Sequence, residues 1–314
     1  MAGSARVLVL GGSGFVGRNV CAVLARRSIN FSTASRATGV DLRHTDTVAA
    51  LLDATRPAFI VNCAAHVGSL NYVSEQAADV ISDNARMSLA MYEAIVRTDK
   101  NIRVINPVAN CAYPATAETF VEDNWWGGQL HRSVFSYGLS RRFLWGLGEC
   151  FGMQHGVRSV SLLVPNMYGP FDSTDPNKAH ALNALIAKFV KAQEEKQEEL
   201  LIWGTGVAIR EWLYAEDFAR IVAEIIENPA LLGLDEPVNI GQNFGLSVRE
   251  LVGIIQAKFN FTGALRFDPT KPDGAPRKVM DDRRFRRIFP KFEFTDLNVG
   301  IPQAIDYYRS RYPY

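Results

Sequence analysis

The sequence predicts an α/β fold in which a doubly wound parallel sheet is followed by a smaller C-terminal substrate-binding domain. Two observations indicate this class. Short apolar segments alternate with helical segments over the first half of the chain, which is typical of a parallel sheet with right-handed crossovers. Beyond Pro165 the loops are longer and richer in Pro, Asp and Asn, so a second kind of structure is expected there.

Strands and helices are expected in alternation over residues 1–165, the first predicted domain. The apolar run Val7–Leu10 predicts the first strand, and the spacing of Val20, Val23 and Leu24 predicts a helix after it. Further strands are predicted over residues 30–33, 59–63 and 157–164, and another opens at Val104. Helices are predicted over residues 47–55, 84–98 and 137–155.

Residues 166–314 are expected to form mainly the second domain. A helix is predicted over residues 181–192, and a strand over residues 200–203 precedes a turn at Gly204 and Gly206. We expect this part of the chain to return to the sheet once or twice.

The charge balance and the residue counts exclude several classes of protein. Lys and Arg number 34 and Asp and Glu 33, so the positive field of a nucleic-acid or membrane-surface binder is missing. The four cysteines are far apart and the five histidines lack metal-binding spacing, so we expect neither disulfides nor a metal site. Neither a signal-peptide pattern nor a membrane-spanning apolar stretch is found, and a cytoplasmic location is expected.

Gly11, Gly14 and Gly17 follow the first predicted strand directly and open the first helix. The first glycine allows a tight turn, the second lets the backbone approach a pyrophosphate, and the third lets the helix pack on the strand. The helix N-terminus adds N–H donors for phosphates. A structural glycine turn is the alternative, but the strand–loop–helix context favours a Rossmann dinucleotide site. The other predicted cofactor contacts in this loop are Ser13, Phe15 and Val16.

The end of the second strand indicates which dinucleotide is bound. An NAD site uses an acidic residue here, whereas an NADP site uses a cation for the added phosphate. Arg36, preceded by Ser32 and Ser35, therefore favours NADP(H), although an ordinary surface arginine is the alternative. Asp41 and Leu42 follow at a position where they could meet the adenine edge.

Longer stretches resemble the extended short-chain dehydrogenases/reductases and, within them, the GDP-L-fucose synthase group. The resemblance covers almost the whole chain, and its most specific part is the run of residues 271–278, Lys-Pro-Asp-Gly-Ala-Pro-Arg-Lys. The other matching stretches are Ala64-Ala65-His66-Val67-Gly68, Asn110-Cys111-Ala112-Tyr113-Pro114, Tyr137-Gly138-Leu139-Ser140-Arg141, Asn166-Met167-Tyr168-Gly169-Pro170, His180, Trp203-Gly204-Thr205-Gly206, Arg210-Glu211 and Ala215-Glu216-Asp217.

The resemblance implies an enzyme that modifies a nucleotide sugar, expected to be GDP-linked. Enzymes of that group epimerise carbons 3 and 5 of a GDP-4-keto-6-deoxyhexose and then reduce the 4-keto group with NADPH. The keto group acidifies the protons on both neighbouring carbons, so an acid/base pair can remove and return them. By resemblance, Cys111 and His180 are this pair, and Tyr137, with Arg141 beside it, supplies the proton for reduction.

The resemblance also implies binding residues and a homodimer that forms through the helices predicted over residues 84–98 and 137–155. Two phosphates of the substrate need cations, which lysine and arginine supply. The implied cofactor contacts are Ala64, Ala65, His66, Met167, Tyr137 and Arg141. The implied substrate contacts are Asn166, Lys188, Trp203, Arg210, Lys271 and Arg277.

Two departures from the family pattern concern reduction. Arg141 occupies the position of the family's lysine, and Ala109 occupies that of its catalytic Ser or Thr. Arginine is always cationic but bulkier and unable to relay a proton. Without the hydroxyl a donor to the keto oxygen is missing, unless Asn110 replaces it, and such a loss costs on the order of a hundredfold in rate. The sequence therefore supports epimerisation more than reduction.

Other interpretations stay open at this point. One is a conventional NADPH-dependent keto-sugar reductase that uses Tyr137 and Arg141, and another is a dinucleotide-binding protein without catalysis. Cys111 could be a small buried apolar residue, as free cysteines often are, and His180 could merely cap a helix. Tyr137 could be a packed aromatic. His131 and the Trp-Trp-Gly-Gly segment that starts at Trp125 do not follow the family pattern; they could shape a pocket or simply pack.

Overall fold

The computed structural model describes residues 6–175, 178–232, 236–271 and 273–314. Its strands are, in chain order, β1 (Val7–Leu10), β2 (Phe31–Ala34), β3 (Phe59–Asn62), β4 (Arg103–Ala109), β5 (Arg158–Val164), β6 (Asn166–Tyr168), β7 (Glu199–Trp203), β8 (Ile209–Arg210), β9 (Trp212–Tyr214), β10 (Val238–Asn239), β11 (Leu246–Ser247), β12 (Ala264–Asp268) and β13 (Arg277–Lys278).

Its α-helices are α1 (Phe15–Arg26), α2 (Thr45–Thr55), α3 (Leu70–Glu75), α4 (Ala77–Thr98), α5 (Phe135–His155), α6 (Ala181–Glu194), α7 (Ala215–Glu227), α8 (Val248–Phe259), α9 (Arg283–Ile288) and α10 (Leu297–Arg309). No helix in the described ranges is long and apolar enough to cross a membrane.

Six parallel strands form the central sheet in the order β10-β5-β4-β3-β1-β2. β1 and β3 are buried along their whole length, because helices cover both faces of the sheet. The predicted doubly wound parallel sheet is confirmed. β10, which comes from the C-terminal part of the chain, pairs with β5, as the expected return to the sheet requires.

Two buried clusters fill the two faces of this sheet. On one face, residues of α1 and α7 pack against the strands, among them Leu24, Phe218 and Ile221. On the other face α2, α4 and α5 contribute residues such as Leu52, Ile95 and Leu144. The helix over α4 is longer than predicted: it begins at Ala77 rather than at residue 84, since Val80, one turn before Asn84, is also buried.

The C-terminal part builds a third cluster around α6, α8 and α10, with Phe189, Leu251 and Ile301 at its centre. Short strands join it in pairs and a triplet: β6 with β9, β7 with β12, and β8 between β11 and β13. In the chain, β6 begins two residues after the end of β5, and β9 begins two residues after the end of β8. These short strands therefore bring the C-terminal residues to the carboxyl edge of the sheet, where ligands bind in such folds.

Candidate active site

The glycine loop lies at the carboxyl end of β1 and starts α1. Gly11 has a φ of +75°, and a Cβ there would lie 2.7 Å from the backbone of Ala64 at the end of β3. A Cβ on Gly17 would clash with the carbonyl oxygen of Gly11. Both positions therefore need glycine for close backbone approach, as the sequence analysis expected.

A cavity of about 330 Å³ opens beside this loop. Predicted cofactor residues line it: Gly11, Ser13, Gly14, Arg36, Asp41, Leu42, Ala64, Ala65 and His66. Phe15 and Met167 lie instead in the buried cluster under the sheet, with Val16 packed against it. None of these three residues lines the cavity.

The far end of the cavity has the chemistry of a phosphate site. Ser35, buried beside Arg36, has a hydroxyl oxygen without a hydrogen-bond partner. Such an orphaned group fits an added phosphate, so the residues present suit NADP(H). Arg43, which the sequence analysis missed, also lines the cavity and donates to Asp41 (2.7 Å) and Asp83 (3.0 Å). Its side-chain hydrogen bonds hold the pKa of the Asp41 carboxyl well below its usual range.

Tyr137 and Arg141 lie one turn apart on α5. The Arg141 guanidinium is buried and lies 4.9 Å from the centre of the Tyr137 ring. Its Nη2 donates to Asn84 Oδ1 at 2.6 Å, and Asn84 also holds the backbone N–H and C=O of His66. Burial raises the pKa of Tyr137, and the charge of Arg141 offsets part of this rise. Arg141 thus supplies a fixed charge to the tyrosine, as a lysine would.

Cys111 lies in a 3₁₀ turn, Asn110–Ala112, that follows β4 directly. A Cβ on Gly138 would lie 2.5 Å from the Cys111 carbonyl oxygen, so the turn packs tightly on the start of α5. Burial raises the pKa of the Cys111 thiol, and the charges of Lys278 and Arg141 offset part of the rise. The structure therefore brings Cys111, Tyr137 and Arg141 together.

Two neighbours of Cys111 bear on the missing hydroxyl donor. Ala109 is half-buried at the end of β4. The Asn110 Nδ2 is buried without a hydrogen-bond partner. A free amide donor therefore lies next to the position where the family has its hydroxyl.

His180 lies on a different element from Cys111 and Tyr137, at the position directly before α6. It is the N-cap residue of α6, as the alternative interpretation allowed, but its side chain makes no capping hydrogen bond. Instead its Nδ1 lies 3.1 Å from both carboxylate oxygens of Asp172, and its backbone N–H donates to the same carboxylate at 2.8 Å. Burial lowers the pKa of His180, but the Asp172 charge and hydrogen bonds outweigh it, so the net shift is upward.

The ring of His180 also contacts the glycine loop. Its centroid lies 5.1 Å from that of Phe15. Asn19 on α1 donates to the Pro170 carbonyl at 3.0 Å, which ties the segment before Asp172 to the same helix. Asp172 was not predicted as a site residue, because its role depends on a contact between a loop and a helix start.

Four of the predicted substrate residues lie on short strands, while Lys188 lies on α6 and Lys271 follows β12. Trp203 is 52% exposed and has two ammonium groups near its ring, Lys188 at 4.8 Å and Lys271 at 5.5 Å. Arg210 donates to the Asp273 carbonyl at 2.8 Å. Asn166 reaches the Glu211 carbonyl at 3.5 Å, and Arg277 has an exposed side chain on β13.

The segment around Trp125 packs rather than standing free. Trp125, Trp126 and Trp145 form a cluster with ring centroids 4.9–5.4 Å apart. Arg142 donates to the carbonyls of Ala112, Gly128 and Trp125 at 2.8–3.1 Å, which fixes the segment to the Cys111 turn. His131 Nδ1 lies 2.7 Å from Ser133 Oγ.

Comparisons with known proteins agree with this geometry. Residues 7–241 match the model of the NAD dependent epimerase/dehydratase family. GDP-L-fucose synthase of Azorhizobium caulinodans is 30% identical over 277 residues, 88% of each chain. GDP-L-fucose synthase 1 of Arabidopsis thaliana is 28% identical over 311 residues, 97% of this chain and 93% of the relative.

Solved structures show the same fold over nearly the whole chain. A GDP-6-OMe-4-keto-L-xylo-heptose reductase from C. jejuni superposes with a TM-score of 0.88 at 21% identity, covering 99% of both chains. A GDP-L-fucose synthetase from Naegleria fowleri bound to NADP gives 0.85 at 24% identity, covering 99% of this chain and 96% of that one. The glycine loop, the parallel sheet and the family match agree with one another. The chain belongs to the NAD dependent epimerase/dehydratase family.

Proposed function

We propose that this chain is an NADP(H)-dependent enzyme that epimerises a GDP-linked 4-keto-6-deoxyhexose at carbons 3 and 5 and reduces its 4-keto group. The observation that carries the proposal is the position of Cys111 beside Tyr137 and Arg141, with His180 held in orientation by Asp172. The relatives named GDP-L-fucose synthase support it. A dinucleotide binder without catalysis would need none of this arrangement.

Epimerisation uses two groups that lie on different elements, Cys111 in the turn after β4 and His180 before α6. The Cys111 thiolate removes a proton from a carbon next to the keto group, and the electrons of the broken C–H bond form an enolate. The upward shift of the His180 pKa favours an imidazolium, which can return a proton to the opposite face of the carbon. Asp172 orients the ring through Nδ1 and leaves Nε2 for this transfer.

Reduction uses Tyr137 as the proton donor to the 4-keto oxygen. The bound cofactor supplies the hydride. Arg141 places its charge 4.9 Å from the Tyr137 ring centre, which stabilises the phenolate left after proton transfer. Asn84 holds Arg141 in place, and Asn110 offers the amide donor that the absent hydroxyl would otherwise provide.

Binding of the two ligands is assigned to opposite ends of the site. Ser35 and Arg36 would hold the added phosphate of NADP(H), and the glycine loop its pyrophosphate. Trp203 offers a flat, half-exposed surface for stacking the nucleotide base. Arg210, Lys188 and Lys271 provide cations for the sugar nucleotide's phosphates.

Isotope exchange tests the epimerase part. The protein would be incubated with GDP-4-keto-6-deoxymannose in deuterated water, and deuterium at carbons 3 and 5 would be measured by mass spectrometry. We expect uptake that Cys111→Ser and His180→Asn each lower by about a hundredfold or more. No uptake by the unaltered protein would remove the epimerase assignment for this substrate.

Substitution at Ala109 tests the reductase part. Ala109→Ser restores the family's hydroxyl at a half-buried position, so we expect NADPH oxidation to rise by about tenfold or more while deuterium uptake is unchanged. An unchanged oxidation rate would mean that Asn110 already fills the role. NADPH oxidation without any deuterium uptake would favour the second candidate, a keto-sugar reductase, which the close Tyr137–Arg141 pair also suits.

A homodimer in the cytoplasm is also proposed. Phe135, Leu139 and Phe143 lie at four-residue spacing on α5 and are 36–46% exposed, and Leu89 on α4 is 40% exposed. α4 and α5 pack side by side, so these residues can form one apolar surface, which commonly marks an interface. Phe143→Glu should give a monomer by light scattering, whereas a monomeric unaltered protein would contradict the proposal.

A further inference from the structure

Lys278 lies against the Cys111 turn although the two residues are far apart in the chain. The Phe120 N–H donates to the Val279 carbonyl at 2.8 Å. Met280 belongs to the same buried cluster as Ala112 and Tyr113. These contacts place the end of β13 directly beside the turn that carries Cys111.

Strand register fixes where the Lys278 side chain lies. Lys278 is opposite Arg210 in the parallel pair of β13 and β8, so the two side chains are on the same face. The Arg210 guanidinium donates to the carbonyls of Ile209 and Asp273. Among the described residues no carboxylate forms an ion pair with the Lys278 ammonium. Arg210 has the Asp273 charge nearby, whereas the Lys278 ammonium has no such partner in the described part of the chain, and a partly buried cation is stabilised by an anionic neighbour.

The Cys111 thiolate, in turn, needs a cation nearby. Only the thiolate can act as a base, and burial disfavours the charged form. The titratable groups around it are Tyr137 and Arg141 on α5 and Lys278 on β13. Arg210 and His131 are further charged or titratable neighbours of Lys278. Arg141 is already engaged by Asn84 and Tyr137, so Lys278 is the cation left for the sulfur.

We propose that Lys278 is a positioning residue that stabilises the Cys111 thiolate as an ammonium–thiolate pair. The proposal rests on the epimerase function proposed above. In the epimerase step the sulfur gains the proton of the broken C–H bond, the electron pair of that bond forms the enolate, and His180 returns a proton to carbon. Lys278 keeps its own proton throughout.

Thiol alkylation tests the pair without any substrate. Iodoacetamide forms an S–C bond with the thiolate and releases iodide, and mass spectrometry of the Cys111 peptide gives the rate at each pH. Lys278→Met should move the midpoint of this pH profile up by about one unit and slow alkylation about tenfold at neutral pH. Lys278→Arg should keep most of the reactivity, and Lys258→Met, which alters an exposed lysine on α8, should match the unaltered protein.

A Lys278→Met profile that superposes on that of the unaltered protein would overturn the proposal. Lys278→Gln must give the same shift as Lys278→Met, and circular dichroism checks that both are folded. The deuterium experiment distinguishes failure of the Lys278–Cys111 pair from failure of the proposed epimerase function. A Lys278-dependent profile without deuterium uptake would refute the epimerase function and leave the pair standing, whereas uptake with unshifted profiles would refute only the pair.

Discussion

At the residue scale, the sequence pointed to side chains that stand inside family-like stretches, such as Cys111, Tyr137 and Arg141. It did not point to Asp172, Asn84, Arg43 or Lys278. Asn84 meets Arg141, and Arg43 meets Asp83, across segments that are distant in the chain, and Lys278 packs near the Cys111 turn in the same way. Asp172 lies only eight residues before His180, but sequence spacing does not show that their side chains meet. A single sequence does not reveal such contacts. Lys278 did stand in the sequence as the last residue of the most family-specific stretch, residues 271–278, but no role was assigned to it.

Asp172→Asn should remove the negative charge beside His180 while keeping a side chain of nearly the same shape. The Asp172 carboxylate raises the pKa of His180, so in the unaltered protein the imidazolium is lost only as the pH rises through this raised value. In the variant it is lost at lower pH. We expect the alkaline limb of the deuterium-uptake profile to move down, with about tenfold less uptake near pH 8. Asp306→Asn, at an exposed position on α10, is the control, and an unmoved limb would contradict the assigned role of Asp172.

Glu211 should make the stability of the fold depend on pH. It is fully buried, accepts the backbone N–H groups of Gln242 and Met280, and burial raises its pKa to about 7. The folded chain then holds a proton that the unfolded chain has already released, so the stability contributed by this group falls as the pH rises from about 4.5 to about 7. Urea unfolding should show this fall in the free energy of unfolding with pH for the unaltered protein, and no such fall for Glu211→Gln. Parallel pH dependences would refute it.

At the scale of elements, continuous apolar runs were predicted well, and strands of two or three residues were not. β1, β3 and β5 have apolar runs that differ from the prediction by at most one residue at either end. β6, β8, β9, β11 and β13 have only two or three residues each, which is too short to show a period of two. Those short strands nevertheless carry Asn166, Arg210 and Lys278 into the site.

Two helical glycines should respond oppositely to alanine. A Cβ on Gly17 in α1 would meet the Gly11 carbonyl, whereas one on Gly253 in α8 meets nothing within 4 Å. Gly253→Ala should therefore raise the free energy of unfolding by about 0.5–1 kcal/mol, and Gly17→Ala should abolish NADPH binding. Calorimetric titration and urea unfolding measure both effects. Normal NADPH affinity in Gly17→Ala would mean that the loop does not hold the cofactor.

At the scale of the whole molecule, the proposed division at residue 165 does not divide the hydrophobic core. The cluster under the sheet includes Val61 and Ile105 from the first part and Phe218, Ile221 and Val238 from the second. The predicted fold class was recoverable because the sheet pattern is local. A return of the C-terminal part to the sheet was expected, but the sequence did not show that α7 is the helix that covers α1.

Residues 1–165 produced alone should therefore fail to fold cooperatively. The fragment would expose the face that α7 covers, together with the edge of β5 that β10 pairs with. We expect binding of a hydrophobic dye, aggregation on gel filtration and no sharp thermal transition. A soluble fragment with a cooperative transition and NADPH affinity would show that residue 165 is a true boundary.

The start of α1 contributes to both halves of the proposed chemistry, because Phe15 packs on His180 and Asn19 donates to the Pro170 carbonyl. An engineer who wishes to exchange NADP(H) for NAD(H) should therefore leave the glycine loop alone. Ser35 and Arg36 lie at the far end of the cavity, in the turn that follows β2, and no contact in the described part of the chain joins them to His180 or Asp172. Cofactor preference can be changed there, whereas a change that moves Phe15 in the loop would also move His180, the proposed acid of the epimerisation.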